Sequence, residues 1–385
     1  METDALDQRR HFVDDQASGR WTMTELCLRY GISRPTGYLW LARYEADGAT
    51  GLEARRSAPH TCPHQTAPAI EAQIVAARHR YGWGAKKLRQ LLHRQQPKVA
   101  WPARSTINDI LDRHGLLEKQ RRRRPWAHPG RVVLATAAPN DVWPADFKGQ
   151  FKTGDGHYCY PLTVTDHFSR RVLACQGLPA ITVADARAVF LATFRTAGLP
   201  RAIRTDNGVP FVGPGLQGLS SLNLWWMQLG ITHQRIRPGC PYENGSHERM
   251  HRELKRETTR PSAATRRAQQ RRFDAFRRRY NAERPHEALG DCTPDSLWRP
   301  SPRPYPEGRP TPEYPARLEV RRVSSSGAIS WHAHVIFLSE VLRGEDVALE
   351  QIDDDCWNLL YYTTLLARWD GRTRRLLSVQ SARTV

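Results

Sequence analysis

Three short segments of this chain constrain its fold most strongly, because each carries an acidic residue and the three lie far apart in sequence. They are Trp143–Gly149 with Asp146, Arg204–Gly208 with Asp206, and Pro241–Lys255 with Glu248. Such carboxylates can meet only if a fold gathers them, and gathered carboxylates repel one another unless a cation lies between them. Mg²⁺ takes oxygen ligands and often works in pairs on phosphodiesters. The segments therefore predict a metal-binding fold.

The charge of the chain indicates the class of its partner. The sequence has 58 Lys and Arg against 39 Asp and Glu, which gives a formal net charge of +19. Lys and Arg neutralise phosphates and release counterions, so this balance favours a nucleic acid as the partner. The alternative is a generally basic protein in which Arg is simply frequent, and the charge alone leaves it open.

The cysteines and the hydropathy exclude other classes of protein. The seven Cys contain no CxxC pair, and Cys62 and His64 have no second pair at zinc-finger spacing. The odd number of Cys and the lack of a signal peptide predict reduced thiols in a cytosol. No apolar run approaches the roughly 18 residues of a membrane span. We therefore expect neither a disulfide scaffold nor a membrane protein.

The first region, residues 1–58, has the pattern of a helix-turn-helix. A short amphipathic helix precedes Gly31, and Ser33 is a good N-cap for a second helix. The residues expected to face a DNA groove are Arg34, Thr36, Gly37 and Arg43. The residues expected in the core are Leu26, Ile32, Leu39 and Leu41. A helical hairpin without a DNA role is the alternative.

A second helical region, residues 67–118, resembles the first in pattern. We expect Arg104 and Thr106 to contact DNA, although a purely structural three-helix bundle fits the pattern equally well. Residues 119–138 form a basic linker. It contains four consecutive arginines, Arg121, Arg122, Arg123 and Arg124. Such runs are often solvated tails, but between DNA-binding and catalytic regions an arm along the DNA backbone is the better interpretation.

The central region, residues 139–262, predicts a mixed sheet flanked by helices, because three strands are followed by alternating helices and strands. Asp146 falls within a strand, and Asp206 follows a strand's carboxyl end, where open sheets place active groups. Glu248 shares one face of a long helix with Arg252 and Lys255. Taken singly, Asp206 fits a turn and Glu248 a surface salt bridge.

The last third of the chain is expected to contain a linker and a small all-β domain. Residues 263–316 combine a very basic helix with a Pro-rich segment. Residues 317–380 alternate between apolar and polar positions in five or six short stretches. This spacing predicts a small β-barrel.

Several motifs together resemble a known family. They are Trp143-Pro-Ala-Asp-Phe-Lys-Gly149, Thr165-Asp-His-Phe-Ser-Arg170, Thr205-Asp-Asn-Gly208, the segment Pro238–Lys255, and Asn281-Ala-Glu-Arg-Pro-His-Glu-Ala-Leu289. In this order they resemble the DDE transposases of bacterial insertion sequences, whose catalytic core is similar to retroviral integrase. The resemblance covers about residues 20–300, and Leu28–Tyr38 is similar to the family's helix-turn-helix.

The resemblance implies a ribonuclease-H-like core in which Asp146, Asp206 and Glu248 are the catalytic residues. It implies that they bind two Mg²⁺ ions, for which Mn²⁺ can substitute. Arg252 and Lys255 match positions that face the transposon-end DNA, whereas Asp166 matches a recurrent position without a metal-binding role. The chain departs from the family in a longer interval between Asp206 and Glu248, in Ala145 beside the first Asp, and in helix-turn-helix regions in place of a zinc-binding module.

The expected function is therefore that of a transposase. It would bind the terminal inverted repeats of an insertion sequence, cleave the ends and join them to target DNA. The expected partner is double-stranded DNA, bound by a homo-oligomer, and the expected location is the bacterial cytoplasm at the nucleoid. The alternatives are a ribonuclease-H-like nuclease without joining activity and a catalytically silent DNA-binding repressor.

Overall fold

A computed structural model describes residues 5–54, 65–117, 136–213, 215–237, 245–308, 310–332 and 334–377. The chain divides into two compact units, Met1–Ala67 and Pro68–Val385. The four arginines at 121–124 lie outside the described residues. Among the described residues, no helix is both long enough and apolar enough to cross a bilayer.

The first unit is a small helical bundle. Its helices are α1 (Ala5–Ala17), α2 (Met23–Arg29) and α3 (Arg34–Asp47). Thr22 and Glu25 form a capping box at the start of α2, and Ser33 accepts a hydrogen bond from the Thr36 amide at the start of α3. Phe12 and Leu26 are fully buried between the helices. The predicted helix-turn-helix pattern is therefore present.

The predicted faces of α3 are wrong at two positions. Gly37 was expected in the groove-facing surface, but it is buried, and a Cβ there would lie 2.9 Å from Cys27 Sγ and Phe12 Cζ. Leu39 was expected in the core and is 47% exposed. The reason is close packing, since the helices approach most closely where α3 has no side chain. Gly37 therefore faces inward, and Leu39, two positions on, points away from the core.

The second unit begins with a separate three-helix bundle. Its helices are α4 (Pro68–Tyr81), α5 (Ala85–Gln95) and α6 (Arg104–Arg113). Ile74, Leu88, Ile107 and Ile110 are fully buried in its centre. Apolar residues recur on one face of α5 and of α6, which explains why these helices pack together.

A mixed six-stranded sheet forms the centre of the second unit. Its strands are β1 (Val142–Phe147), β2 (Phe151–Lys152), β3 (Tyr158–Thr165), β4 (Val172–Leu178), β5 (Ala202–Thr205) and β6 (Thr232–Arg235). The strand order is β2-β3-β1-β5-β6, with β4 also paired to β3. β1 runs antiparallel to β3 and parallel to β5, and β6 is parallel to β5. The prediction of a mixed sheet is confirmed.

Helices cover both faces of this sheet. They are α7 (Val183–Ala197), α8 (Ser221–Gln228), α9 (Gly245–Thr258), α10 (Arg266–Ala282) and the short α11 (Pro294–Leu297). On one face, α7 and α8 pack aromatic residues against Trp143 and Ile203. On the other, Met250 and Leu254 of α9 pack beside Phe273 of α10. The sheet is therefore the middle layer of three, and α9 lies on the face opposite α7.

The prediction of a C-terminal β-barrel is wrong. The strands are β7 (Glu319–Arg322), β8 (Ala328–Trp331), β9 (His334–Phe337), β10 (Asp346–Asp353), β11 (Cys356–Tyr361), β12 (Thr364–Asp370) and β13 (Arg375–Leu377). Five of them form an open antiparallel sheet in the order β13-β12-β11-β10-β7, and β8 and β9 form a separate hairpin.

The hydrophobic core of this region explains why the sheet stays open. Val347, Leu349 and Leu359 of the sheet share one core with Ile329 and Ile336 of the hairpin. The hairpin therefore covers the apolar face that a barrel would have to close around. The two edge strands stay apart, and their apolar residues Val320 and Leu377 are 41% and 45% exposed.

Candidate active site

Parallel pairing of β1 with β5 brings the first two acids together. The register aligns Val142 with Ala202 and Pro144 with Arg204. Continuing it by two residues sets Asp146 level with Asp206 on neighbouring strands, which lie about 4.8 Å apart in a sheet. Because side chains alternate along a strand, both carboxylates lie on the face opposite Trp143 and Ile203.

Asp146 has the electrostatics of a carboxylate in a crowded anionic site. Burial, and then the charge of Asp206, raise its pKa from 3.8 to about 7, and Glu248 adds a smaller repulsion. Lys148 acts in the opposite direction. The described structure therefore brings all three predicted acids within electrostatic range. A carboxylate whose charge is opposed in this way gains most when a cation binds.

Asp206 stands directly after β5 in a tight turn. Its Oδ1 accepts a hydrogen bond from the Gly208 amide at 3.1 Å. A Cβ at position 208 would lie 3.2 Å from Asp206 Oδ2, so a side chain there would crowd the carboxylate. Asp206 therefore does lie in a turn, as the structural alternative from the sequence proposed. The same turn also orients its carboxylate.

Helix α9 presents Glu248 beside these two acids. Its buried residues include Met250 and Leu254, whereas Glu248, Arg252 and Lys255 are all exposed. The spacing of four and three residues sets the exposed three on one face of the helix. This face has the composition that the sequence predicts, with a carboxylate followed by two cations.

A buried polar network under Asp146 was not predicted. His247 and His251 of α9 are 1% and 2% exposed. Thr163, which pairs with Asp146 across β1 and β3, has its hydroxyl 2.7 Å from His247 Nε2 and 2.6 Å from His251 Nε2. Thr165 Oγ lies 2.9 Å from His247 Nδ1. His251 Nδ1 is 3.6 Å from Asp146 Oδ2. The spacing of the two histidines by four residues on α9 is the sequence signal that points to one shared face.

Burial favours the neutral form of both imidazoles. Burial lowers the pKa of His247 to about 3, with His167 and Lys148 as smaller causes. Burial likewise lowers the pKa of His251, and His247 lowers it further. A ligand atom from each of Asp146, His247 and His251 lies within 4.8 Å of the others, which is the spacing of a metal site. However, the nitrogens of His247 are both engaged by threonine hydroxyls.

Oxygen donors suit the ion that the resemblance implies. Asp146, Asp206 and Glu248 supply only carboxylates, which are the hard ligands that Mg²⁺ prefers. Burial first, and then repulsion from Asp206 and Glu248, raise the pKa of Asp146, and Lys148 offsets only part of this rise. The three residues present therefore fit a divalent cation.

Asp166 has the structural role that was expected. It is fully buried, and its carboxylate accepts hydrogen bonds from the Asn140 amide at 2.7 Å and from the amide and hydroxyl of Ser169. These bonds close the turn between β3 and β4. Because its oxygens are used by backbone and hydroxyl donors, Asp166 contributes to the loop and not to the acidic cluster.

The motif at residues 281–289 ties α9 and α10 to neighbouring elements. Asn281 exchanges two 2.9 Å hydrogen bonds with the backbone of Val172, which completes the pairing of an edge strand. Arg284 is 5% exposed and contacts Glu253 at 3.1 Å and Glu257 at 3.8 Å, both on α9. Sequence reasoning missed Arg284 as a functional residue, although it lies within the recognised motif at residues 281–289.

Arg284 also belongs to the contact between the three-helix bundle and the segment that follows α10. Its guanidinium lies 5.6 Å from the centre of the Trp83 ring. Lys86 contacts Glu287 at 2.9 Å, and Arg94 donates to the Glu283 carbonyl at 2.7 Å. A cavity of about 380 Å³ lies between α5, α6 and α9 at this contact. The bundle is therefore connected to the helix that carries Glu248.

The predicted DNA-contacting residues of the helical regions lie at or near the surface. Arg34 and Arg104 are exposed, and Thr36, Arg43 and Thr106 are partly exposed. Thr36 is also engaged in the cap of α3, where its hydroxyl lies 2.8 Å from that of Ser33. Arg121, Arg122, Arg123 and Arg124 fall outside the described residues, so their role stays a prediction.

Comparisons with known proteins agree with this architecture. Models described as integrase core domains match residues 136–241 and 229–294. A helix-turn-helix domain matches residues 8–60, and a homeodomain-like domain matches residues 36–111. The uncharacterized 39.2 kDa protein of insertion element IS476 from Xanthomonas euvesicatoria is 30% identical over 277 residues, which cover 69% of this chain and 75% of that protein.

The chain belongs to the insertion-sequence transposases that have an integrase core. The uncharacterized 31.7 kDa protein of insertion element IS407 from Burkholderia multivorans is also similar, with 29% identity over 241 residues covering 60% of this chain and 82% of that protein. The recognition from sequence motifs is therefore confirmed, together with a helix-turn-helix domain in the N-terminal part of the chain. The integrase core indicates an enzyme of the nucleotidyl-transferase type.

Solved structures with some similarity are retroviral. The HTLV-2 integrase catalytic core in complex with magnesium is 17% identical, covers 42% of this chain and 99% of its own, and has a TM-score of 0.34. The intasome of simian T-cell lymphotropic virus in complex with PP2A regulatory subunit B56 gamma is 17% identical, covers 76% and 97%, and has a TM-score of 0.37.

Proposed function

We propose that this transposase binds the terminal inverted repeats of its insertion sequence, cleaves the DNA at the ends and joins them to target DNA. The observation that carries the proposal is the cluster of Asp146, Asp206 and Glu248, whose mutual repulsion contributes to the raised pKa of Asp146. The active species is a homo-oligomer on DNA, because two ends must be processed together.

The three carboxylates hold two Mg²⁺ ions, for which Mn²⁺ can substitute. When bound, such a pair supplies activation of the attacking oxygen and stabilisation of the leaving oxygen of a phosphodiester. Asp146 and Asp206 would hold the ions from neighbouring strands, and Glu248 would hold them from α9. Gly208 keeps Asp206 uncrowded and donates its amide to Oδ1, which fixes the orientation of that carboxylate.

The DNA is held by cationic and hydroxyl side chains from four regions. Arg252 and Lys255 continue the exposed face of Glu248 and bind phosphates next to the reacting one. The helical regions read sequence through Arg34, Thr36, Arg43, Arg104 and Thr106. The arginines at 121–124 contact the DNA backbone. Helical regions that read sequence, combined with a cluster of carboxylates, suit an enzyme that cuts at defined ends.

The test uses duplexes that carry the element's terminal repeats. Asp146→Asn and Asp206→Asn each keep the shape of the side chain but remove a metal-binding charge, so both cleavage and joining should be lost while end binding persists. Asp155→Asn, an exposed carboxylate in the loop after β2, is the matched control and should retain both activities. Activity should require Mg²⁺ or Mn²⁺ and should stop in EDTA.

Three outcomes of this experiment contradict the proposal. Near-normal joining by either variant removes that residue from the site. Turnover that persists in EDTA excludes the metal-binding role of the carboxylates. Cleavage without any joining, across a range of target DNA, favours a ribonuclease-H-like nuclease instead.

A further inference from the structure

The carboxylate of Asp146 is approached from α9 by His251, whose own surroundings determine which nitrogen carries its proton. Nδ1 of His251 lies 3.6 Å from Asp146 Oδ2, and Nε2 lies 2.6 Å from the Thr163 hydroxyl. The first contact is longer than a hydrogen bond, and catalytic contacts of this kind are often long before substrate binds. The hydrogen bond at Nε2 therefore decides what Nδ1 presents to Asp146.

Thr163 has one hydroxyl proton and three neighbours that compete for it. They are the Asp146 carbonyl at 3.1 Å, His247 Nε2 at 2.7 Å and His251 Nε2 at 2.6 Å. A neutral imidazole donates from one nitrogen and accepts at the other. If Thr163 donates to the carbonyl or to His247, His251 must donate from Nε2. Its Nδ1 lone pair would then face Asp146, which in the ionised form that binds a metal makes an unfavourable contact between two acceptors.

With Asp146 ionised, one order of donors satisfies every side-chain contact. Thr165 donates to His247 Nδ1, and His247 Nε2–H donates to Thr163. Thr163 donates to His251 Nε2, and Nδ1–H of His251 then faces Asp146. This order leaves out only the longest Thr163 contact, that to the carbonyl. All four side chains are at most 6% exposed, so water does not replace these partners readily.

We propose that His251 is a positioning residue, which orients the Asp146 carboxylate by directing Nδ1–H at Oδ2 from the end of a one-way hydrogen-bond chain. The chain runs from Thr165 through His247 and Thr163 to His251. This inference rests on the proposed function, because Asp146 is taken as a metal ligand. It also explains why the histidines are not a separate metal centre, since their other three nitrogens are engaged by hydroxyls.

Two amide substitutions test the contribution of each nitrogen of His251 separately. His251→Asn keeps a donor at the position of Nδ1, whereas His251→Gln keeps a polar atom at the position of Nε2. The readout is the affinity for Mn²⁺ alone, titrated by electron paramagnetic resonance, with thermal melting as the measure of folding. We expect His251→Gln to weaken Mn²⁺ binding by about tenfold or more, as partners of metal ligands commonly do, and His251→Asn to stay within about threefold of the parent.

Selective ¹⁵N-histidine labelling tests the same point in the unaltered protein. The ¹⁵N shifts of His251, assigned from the signals missing in the His251→Asn variant, should be those of the tautomer protonated at Nδ1. A tautomer protonated at Nε2 overturns the proposal. Equal Mn²⁺ affinities of the Asn and Gln variants overturn it as well.

Asp146→Asn distinguishes this inference from the proposed function. If Asp146→Asn abolishes Mn²⁺ binding while both His251 variants bind normally, the metal site stands and the positioning role fails. If Asp146→Asn binds Mn²⁺ as well as the parent does, the metal-binding function itself fails.

Discussion

The two faces of helix α9 are built for opposite purposes. Its buried face packs Met250 and Leu254 into the core and inserts two histidines into a polar network. Its exposed face carries Glu248, Arg252 and Lys255. The buried face fixes the position of the helix, and in the proposed function the exposed face binds a cation and DNA. Stability and activity should therefore separate by face when α9 is mutated.

The sharpest separation is expected for Glu248→Gln against Leu254→Ala. The first removes an exposed charge, so cleavage and joining should fall by about 10³-fold or more while the melting temperature stays the same. The second leaves a cavity in the core and should lower the free energy of unfolding by about 2–5 kcal/mol. End-DNA assays and chemical denaturation measure the two effects. Similar stability losses in both variants would contradict the division of α9 into two faces.

Removing the charge of Asp146 should stabilise the metal-free protein at neutral pH. Its folded pKa of about 7 lies above the ordinary 3.8. Below about pH 4 the carboxyl is protonated in both the folded and the unfolded state, so it does not reduce the free energy of unfolding. As the pH rises to about 7, the unfolded chain ionises more readily, so the free energy of unfolding of the parent protein falls.

Asp146→Asn should therefore be more stable than the parent above pH 7, by at most about 4 kcal/mol at 1.36 kcal/mol per pKa unit. The advantage should shrink toward zero near pH 4. Urea denaturation in EDTA at several pH values measures it. If the stability difference between Asp146→Asn and the parent did not change with pH, burial and repulsion of the Asp146 charge would not be its cause.

The next effect concerns the ion pairs between Arg284 and two acids of α9, Glu253 and Glu257. Arg284→Met leaves Glu253 and Glu257 without their buried partner and should cost about 3 kcal/mol. Arg256→Met is the matched control, because Arg256 pairs with the same two acids but is 55% exposed, and its loss should cost less than about 1 kcal/mol. Denaturation of both variants at one pH makes the comparison. Equal costs would show that burial does not set the strength of these pairs.

Sequence alone predicts the exposed face of α9 better than its buried one. Glu248, Arg252 and Lys255 are visible because their spacing and motif carry chemistry. Thr163 and Thr165 precede the histidines by more than eighty residues, so their contacts depend on the pairing of β3 with β1 and the docking of α9. Local patterns do not encode such long-range contacts.

The C-terminal region and α3 illustrate two other limits. Alternation identifies the strands of residues 317–380 but does not determine whether the outer strands meet, since that depends on what covers the apolar face. The helical period identifies α3, but Gly37 faces inward because the close approach of three helices needs an absent side chain. Element type follows from local pattern, whereas closure and rotation follow from packing.

The smallest effect is expected for the two cations on the exposed face. Arg252→Ala and Lys255→Ala each remove one charge-assisted phosphate contact among many, so the affinity for end DNA should fall only a few-fold. The rate of joining by the bound complex should fall by about tenfold, because these side chains lie one and two turns beyond Glu248 and hold the phosphate near the reacting one. Arg260→Ala, exposed and beyond the end of α9, is the control and should leave the joining rate unchanged.

Single-turnover joining at saturating DNA, compared with equilibrium binding, separates the joining rate from the affinity. If affinity collapses while the joining rate of the bound complex is normal, Arg252 and Lys255 are general anchors, and the exposed face of α9 does not align the reacting strand.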